Sequence, residues 1–427
     1  MKYTFDTDKN TAIRFDNDDV LKDFKTRFYI PNNTIYMDGN SLGLCSKDSE
    51  IAILRVLDEW KKFGIGCWGD GAIELFTYHD HLSSLIAPLI GASSDEITIH
   101  GSTTLNIHSC IGTFYKPTKD RYKILIDDLN FPTDRYATEG QIKLKGLDVN
   151  NCLKVVESRD GKFIYEEDIV NAMSDDISII LLPSVLYRSG QLVDMCYITT
   201  VAHKRGILVG WDLCHSIGAI PHNLDVIDAD FAVWCNYKYL NGGPGTSAGL
   251  FINRKHFNRD AGLCGWHGNK KETQFELNNI FDKAEKASGW QSGTQPILSM
   301  AALEGSLNIH REAGIHRLRE KSLKMTSYLM YLIDEKLTKY GFTIGNPRDD
   351  EKRGGHVALE HDDAIRINSA LKSQGVIPDF RYPNVIRLAP VPLYISYEDV
   401  YNLVEILVDI METKKFEKFE SKIGVTA

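Results

Sequence analysis

The chain has 427 residues, more than one hydrophobic core usually supports, so we expect a larger and a smaller domain. Apolar residues make up 43% and charged residues 25%, a balance typical of a folded globular protein and not of a disordered one. The net charge of -9, without any Lys/Arg-rich run, argues against nucleic-acid binding.

Neither membrane insertion nor a metal site is indicated. No stretch approaches 18 uninterrupted apolar residues, and residues 1–20 are polar and acidic, without the apolar core of a signal peptide. The eight cysteines are scattered and no pair has Cys-x-x-Cys spacing, so neither a zinc site nor a redox motif is predicted. We therefore expect a cytoplasmic protein with reduced, mostly buried thiols, no metal and no membrane partner.

Short apolar runs through the middle of the chain predict buried strands. They are too apolar to alternate, and most are separated by polar or helix-compatible segments such as residues 164–173. The runs cover residues 122–127, 153–157, 177–182, 207–211, 231–234 and 249–252. This pattern is typical of an α/β domain with a mainly parallel sheet covered by helices on both faces.

The pattern changes from residue 297 onward. Residues 300–337 form a long helix-compatible stretch without proline, and a strand-like segment, an apolar run and an amphipathic helix follow. These three lie at residues 341–345, 385–389 and 396–411. We therefore predict a large α/β domain over residues 56–296 and a smaller α/β domain over 297–427, with residues 1–55 packed against the smaller one.

The most informative window is residues 231–249, where an apolar strand leads into Tyr237-Lys238-Tyr239 and then a glycine-rich turn. Lysines usually lie on solvated surfaces, whereas glycines let backbone approach a bound ligand closely. A buried lysine has a depressed pKa and becomes nucleophilic, as Schiff-base formation with an aldehyde requires. The alternative is a loop lysine whose stem packs on a tyrosine, and the window alone favours that alternative.

The second feature is Asp212, which stands 26 residues before Lys238. It directly follows the predicted strand at residues 207–211, and His215 comes three residues later. Ligands of open α/β sheets collect at the carboxyl ends of strands. An aspartate there could keep the pyridine nitrogen of pyridoxal phosphate (PLP) protonated, which makes the ring an electron sink. Taken alone, Asp212 is better explained as a helix N-cap and His215 as a core histidine.

Two further features would complete a PLP site. Gly101-Ser102-Thr103-Thr104 offers hydroxyls and free amides at a predicted helix start, which attracts a phosphate. Phe131, in a loop after another strand, could stack on the ring. Each is weak by itself, because small hydroxyl residues also cap helices and loop phenylalanines usually pack. Their order along the chain, with the aspartate and lysine last, is the layout of fold-type I PLP enzymes.

The sequence closely resembles one family of such enzymes, kynureninase, the hydrolase that splits L-kynurenine into anthranilate and L-alanine. The matching blocks span nearly the whole chain, and the first and last are the specific ones. They are residues 36–43 (YMDGNSLG), 131–134 (FPTD), 212–215 (DLCH), 236–241 (NYKYLN) and 386–394 (IRLAPVPLY).

The resemblance implies that PLP forms a Schiff base with Lys238 and that the catalytic residues are Lys238, Tyr237 and Asp212. The residues it implies at the cofactor are Thr103, Thr104, Phe131, Asp134, Asp212, His215, Tyr237, Lys238, Trp266 and Thr294. Of these, Trp266 and Thr294 would reach the cofactor phosphate from the neighbouring subunit. An obligate homodimer with shared sites is therefore implied.

For the substrate, the resemblance implies that Arg387 binds the α-carboxylate, and a guanidinium suits a bidentate pair with that group. Trp68, Gly293, Thr294 and Asn40 would complete the substrate site. The residues of the ring pocket resemble the bacterial branch, which favours kynurenine over its 3-hydroxy derivative. A place in tryptophan catabolism and NAD biosynthesis is implied as well.

The chain departs from the family pattern at one position, where Pro183 and Ser184 stand near an expected Ser or Thr, so Ser184 is left unassigned. Two alternatives remain open. A cysteine desulfurase or aminotransferase of class V shares the lysine and aspartate, but a desulfurase needs a late catalytic cysteine and none follows Cys264. A non-catalytic PLP-fold protein would have lost Lys238 or Arg387, and both are present.

Overall fold

The computed structural model describes residues 4–421, so the ends of the predicted segments 1–55 and 297–427 lie outside the described residues. The α-helices are α1 Lys9–Asn17, α2 Lys47–Phe63, α3 Tyr78–Ile90, α4 Thr103–Phe114, α5 Pro132–Leu144, α6 Val149–Cys152, α7 Glu166–Ala172, α8 Met195–Lys204, α9 Leu224–Ile227, α10 Ile297–Ala313, α11 Ile315–Lys336, α12 Ala364–Ser373 and α13 Tyr397–Glu412. The strands are β1 Ile35–Tyr36, β2 Ile97–Ile99, β3 Lys123–Asp127, β4 Leu153–Val156, β5 Ile177–Pro183, β6 Leu208–Asp212, β7 Phe231–Trp234, β8 Gly249–Ile252, β9 Thr343–Ile344, β10 Val357–Glu360, β11 Val376–Ile377, β12 Asp379–Arg381 and β13 Val385–Leu388.

A seven-stranded sheet in the order β2-β8-β7-β6-β5-β3-β4 forms the centre of the molecule. Five neighbouring strands, in the order β7-β6-β5-β3-β4, pair in parallel. Strand β8 runs antiparallel to both of its neighbours, β2 and β7. Separate apolar clusters contain residues from alternate positions of these strands, such as Leu125 in one and Ile124 in the other. The predicted α/β class and the six predicted strands are therefore confirmed.

A four-stranded antiparallel sheet, β12-β13-β10-β9, forms a second layer that packs with α11 to α13. The long helix-compatible stretch is two helices, because the chain turns at Gly314, whose φ is +77°. A glycine adopts this left-handed backbone without steric strain. The strand-like segment at 341–345 contains β9, the apolar run at 385–389 contains β13, and the helix predicted at 396–411 is confirmed as α13.

The N-terminal residues lie against the four-stranded layer. Strand β1 pairs in parallel with β11, and Met37 accepts the backbone N–H of Ala389. The Asp16 carboxylate accepts the N–H groups of Tyr397 and Glu398, which are the first residues of α13. A carboxylate at a helix N-terminus satisfies amides that have no partner inside the helix. These contacts bring residues 37–41 to the edge of the central sheet. Across residues 4–421, no helix combines the length and the hydropathy needed to cross a membrane.

Candidate active site

A cavity of about 390 Å³ lies beyond the carboxyl ends of β6 and β7, where the four-stranded layer meets the central sheet. Its walls come from segments between residues 40 and 248 and from residues 381 and 387, and they include most of the residues predicted for the site. It is lined by Asn40, Ser41, Gly101, Ser102, Thr103, Thr104, Phe131, Thr133, Tyr187, Asp212, Cys214, His215, Cys235, Tyr237, Lys238, Gly245, Thr246, Ala248, Arg381 and Arg387.

Lys238 follows β7 and reaches His215, with 2.9 Å between its Nζ and the imidazole Nε2. Burial lowers the pKa of Lys238, but electrostatic interactions with Cys235, Cys214 and Asp212 more than offset burial, and the pKa is raised. The predicted depression of this pKa is therefore wrong for the free chain, because the prediction considered burial alone and not the neighbouring cysteines and Asp212. Burial, reinforced by the charge on Lys238, holds the pKa of His215 well below its usual range. The neutral imidazole accepts a hydrogen bond from the ammonium group.

Asp212 is the last residue of β6 and is buried. Its Oδ1 accepts the backbone N–H of Cys214 at 2.7 Å, and no helix begins here, so the N-cap interpretation does not apply. Burial raises the pKa of Asp212, while the positive charge of Lys238 opposes the rise. Asp134 is buried beside this group, where burial and the charge of Asp212 raise its pKa well above the usual value. Asp134 does not line the cavity.

The wall opposite Asp212 is suited to an anion. Ser102 caps α4, and Thr103 and Thr104 form the first turn of this twelve-residue helix. The backbone N–H groups of a first helical turn have no partner inside the helix and attract negative charge. The Thr104 hydroxyl lies 2.7 Å from that of Thr133. Tyr237 lies in the same cavity, and burial raises the pKa of its phenol, which therefore keeps its proton.

Phe131 stands at the entrance of the cavity, immediately before α5, and 46% of it is exposed. Its ring meets that of Tyr187 edge to face, with 5.6 Å between the centroids. An exposed phenylalanine in a cavity wall contributes little to the core. Its apolar face is therefore available to a planar ligand.

Arg387, on β13, closes the other end of the cavity and is 1% exposed. Burial lowers its pKa to about 10, so the guanidinium stays charged at neutral pH. It donates to the backbone oxygen of Tyr187 at 2.8 Å and to the Ser41 hydroxyl at 2.9 Å, and it pairs with Asp379. Asn40 is fully buried nearby, and its side-chain amide has no hydrogen-bond partner among the described residues. These polar groups are arranged to receive a ligand.

Besides Asp134, four predicted site residues lie outside the cavity formed by their own chain: Trp68, Trp266, Gly293 and Thr294. Trp68 and Trp266 both pack edge-on against Phe76, at centroid distances of 6.3 and 6.1 Å. Trp68 also lines a separate apolar depression of about 470 Å³. Gly293, Thr294 and Trp266 are exposed, so this group forms a surface of its own.

Sequence reasoning missed several residues of the cavity. Tyr187, Cys214, Cys235 and Arg381 line it, and none was assigned a role. The two cysteines stand inside or next to the motif blocks, and Arg381 lies two residues from Asp379, which faces Arg387 across the hairpin. Their proximity to the motifs was the available signal. Ser184, which had been left open, is buried behind Asp212 and hydrogen-bonds to Ser216 at 2.7 Å.

The residues present fit PLP in charge and in shape. The helix start at Thr103 suits a phosphate, Asp212 suits a protonated ring nitrogen, and Phe131 offers a flat face. The Nδ1 of His215 is buried without a partner among residues 4–421, as expected of a site that completes its contacts with a ligand. Groups of three or more His, Cys, Asp or Glu that could hold a metal are not found in this same part of the chain.

Comparison with known proteins gives a consistent result. The family model of the kynureninase C-terminal domain matches residues 318–407. A kynureninase of Bacillus cereus (strain ATCC 14579) is 56% identical over 97% of this chain and 97% of its own. A kynureninase of Geobacillus thermodenitrificans is 51% identical with the same coverage of both chains.

Among solved structures, the apo cysteine desulfurase of Thermococcus onnurineus NA1 has a TM-score of 0.78 at 17% identity. The alignment covers 92% of this chain and 98% of that one. At this identity the similarity establishes the fold alone, which is that of fold-type I PLP enzymes.

Proposed function

The chain belongs to the kynureninase family, and from this premise we propose how its own residues carry out the reaction of that family. Kynureninases are PLP-dependent hydrolases that cleave the Cβ–Cγ bond of L-kynurenine and release anthranilate and L-alanine. One observation carries the assignment of this reaction to particular residues. Lys238, which suits the cofactor, and Arg387, which suits a carboxylate, line the same cavity.

PLP, when bound, supplies an aldehyde that condenses with amines and a ring that accepts electron density from Cα and Cβ. Lys238 would hold the cofactor through its Nζ, and the same amine, when free, would remove the Cα proton of the substrate. Asp212, whose Oδ1 already accepts the Cys214 N–H, would keep the ring nitrogen protonated. His215 orients the lysine amine by accepting its hydrogen bond.

The remaining groups bind the cofactor and substrate and supply a proton. Thr103 and Thr104 hold the phosphate at the start of α4, and Phe131 stacks on the ring. Arg387 binds the α-carboxylate of the substrate, which its buried guanidinium fixes in orientation. The Tyr237 hydroxyl would donate a proton to Cβ once hydrolysis has released the acyl group as anthranilate, and burial raises its pKa, which keeps the phenol protonated at neutral pH.

A homodimer with shared sites completes this proposal. Trp266, Thr294 and Gly293 are exposed, Trp68 is half-buried, and none of the four lines the cavity of its own chain. We infer that a second copy brings these residues to the mouth of the cavity, where Trp266 and Thr294 meet the phosphate and Trp68 and Gly293 meet the aromatic ring of the substrate. Mixing inactive Lys238→Ala with inactive Trp266→Ala should restore activity, because mixed dimers then contain one intact site. No recovery after subunit exchange would contradict shared sites.

The eight cysteines are all free, which is typical of a reducing compartment. Three are exposed and five buried, so the expectation that most thiols are buried is confirmed. We place the enzyme in the cytoplasm, in tryptophan catabolism and the route to NAD. Detection in a cell fraction other than the cytosol would contradict this placement.

Desulfurase activity is not favoured, although the fold is shared with a desulfurase. A desulfurase needs a cysteine that reaches the substrate sulfur, and the thiols in the cavity, Cys214 and Cys235, are buried beside strand ends. Cys214 lies two residues after the end of β6 and Cys235 directly follows β7, and both are held in the buried wall of the cavity.

The proposed roles are tested by loading the purified protein with PLP and following anthranilate fluorescence after addition of L-kynurenine. Wild type should carry the cofactor covalently, as shown by borohydride reduction and mass analysis, and should release anthranilate. Lys238→Ala should show neither covalent attachment nor anthranilate. Covalent attachment at another lysine would refute the assignment of Lys238.

A further inference from the structure

Two arginines and an aspartate lie side by side on the four-stranded layer where it closes the cavity. Asp379 on β12 stands directly opposite Arg387 on β13 in the antiparallel register. Arg381 is two residues further along β12 and therefore faces the same side of the sheet as Asp379. Asp379 and Arg387 are each 1% exposed, whereas Arg381 lines the cavity and is partly accessible.

The Asp379 carboxylate is the centre of this cluster. Its Oδ2 accepts the Ser41 hydroxyl at 3.0 Å and the Arg381 guanidinium at 3.0 Å, and it also pairs with Arg387. Arg387 is held from two other directions, by the Ser41 hydroxyl and by the backbone oxygen of Tyr187. Three separate parts of the chain therefore fix the position of one guanidinium.

The cluster nonetheless leaves two strong donors unused. The Nε atoms of Arg381 and Arg387 are both buried and have no acceptor among the described residues. A buried donor without a partner costs free energy, which an arriving acceptor regains. A carboxylate is the acceptor that matches guanidinium geometry best. The arrangement is thus fixed in advance for an anion that the chain itself does not provide.

We propose that Asp379 is a positioning residue that holds Arg387 and Arg381 in the orientation needed to bind the substrate α-carboxylate, and that Arg381 shares in that binding. The inference rests on the proposed function, in which Arg387 recognises this carboxylate. Asp379 itself does not touch the substrate. It acts by removing the freedom of two long side chains before binding, so that little of the binding energy is spent on ordering them.

Asp379→Asn is the variant to test first, because it keeps the shape of the side chain and removes its charge. The KM for L-kynurenine should rise at least about tenfold, while kcat stays within about threefold of the wild-type value. The reason is that the arginines bind the substrate carboxylate equally in the ground state and in the transition state, so weaker binding raises KM and leaves kcat nearly unchanged. Asp379→Glu retains the carboxylate and should recover part of the loss. A KM that is unchanged or lower, or a loss confined to kcat, would overturn the proposal.

A matched control separates positioning from general destabilisation. Asp19 forms a similarly buried ion pair with Lys321, at 2.7 Å, outside the cavity. Asp19→Asn should lower the melting temperature without changing the KM. An equal rise of KM in both variants would show that any buried charge has this effect and would refute a specific role for Asp379.

A binding measurement makes the test independent of hydrolysis. The PLP-loaded enzyme is titrated with L-alanine and with L-alaninamide, which lacks the carboxylate, and affinities are read by calorimetry. Wild type should prefer L-alanine, and Asp379→Asn should lose most of that preference. A preserved preference in Asp379→Asn would contradict the proposal, whereas failure of wild type to cleave L-kynurenine would contradict only the proposed function. If Asp379→Asn does not fold, Arg381→Gln should reduce the same preference, and no reduction would overturn the role of Arg381.

Discussion

Replacing Asp212 by asparagine tests the assigned partner of the cofactor ring. One carboxylate oxygen is held by the Cys214 N–H at 2.7 Å, and an asparagine oxygen can keep this bond. The other oxygen would be replaced by an NH2 group, which cannot accept a hydrogen bond from a protonated pyridine nitrogen. The variant therefore removes one charge-assisted hydrogen bond and leaves the local backbone turn intact.

A hydrogen bond to a charged group contributes about 1.5–3 kcal/mol, so the affinity for PLP should fall roughly 10- to 150-fold. The rate should fall as well, because an unprotonated ring accepts electrons less readily. Asp127 is a matched control: it is buried at the end of β3, accepts the N–H of Leu129 at 2.9 Å and does not line the cavity. Affinity can be measured by fluorescence titration of apoenzyme with PLP. Equal affinities of wild type and Asp212→Asn, or an equal loss in Asp127→Asn, would refute the reasoning.

Three further predictions concern titrating groups. Because the pKa of Lys238 is raised in the free enzyme, covalent loading of apoenzyme with PLP should accelerate as pH rises from 7 to about 9, and a rate independent of pH would contradict a cationic lysine. Burial would raise the pKa of Cys235, but Cys214 and Lys238 lower it to about 7. In apoenzyme Cys235 should therefore be alkylated by iodoacetamide faster than Cys110, whose pKa burial raises well above the usual value, and PLP should protect it. Equal labelling of the two thiols by mass analysis would count against this. Burial opposes ionisation of Asp230, but hydrogen bonds with His203 and His256 outweigh it and depress the pKa. Because the pKa of Asp230 is lower in the folded than in the unfolded chain, where it is near 4, its ionised carboxylate stabilises the fold above about pH 4, and this stabilisation is lost as the pH falls further. Asp230→Asn should therefore lower the unfolding free energy by about 1–3 kcal/mol at pH 7, and this difference should shrink below about pH 4. A difference that grows on acidification would refute the assignment.

The strands of the central sheet could be predicted because they are buried on both faces and therefore read as continuous apolar runs. Strand β2 is only three residues long, Ile97–Ile99, and its pairing with β8 depends on contacts distant in sequence, so no local pattern marked it. The division of residues 297–336 into two helices depends on one glycine inside an otherwise helical pattern.

The site could be predicted from the order of several individually weak motifs and from the family resemblance, since the window around Lys238 alone favoured a packed loop lysine. The raised pKa of Lys238 could not, because it depends in part on Cys214 and Asp212, which the pairing of β6 with β7 brings beside it. Arg381 and Tyr187 were missed for the same reason: neither stands out locally, and the hairpin and the cavity place them at Arg387.

The most direct test of the central claim is the product balance of the purified, PLP-loaded protein with L-kynurenine. Anthranilate and L-alanine should appear in equal amounts as L-kynurenine is consumed, and Lys238→Ala should form neither. Consumption of L-kynurenine without anthranilate, as in transamination, would contradict hydrolysis of the Cβ–Cγ bond. Equal products from Lys238→Ala would contradict the assignment of the cofactor lysine.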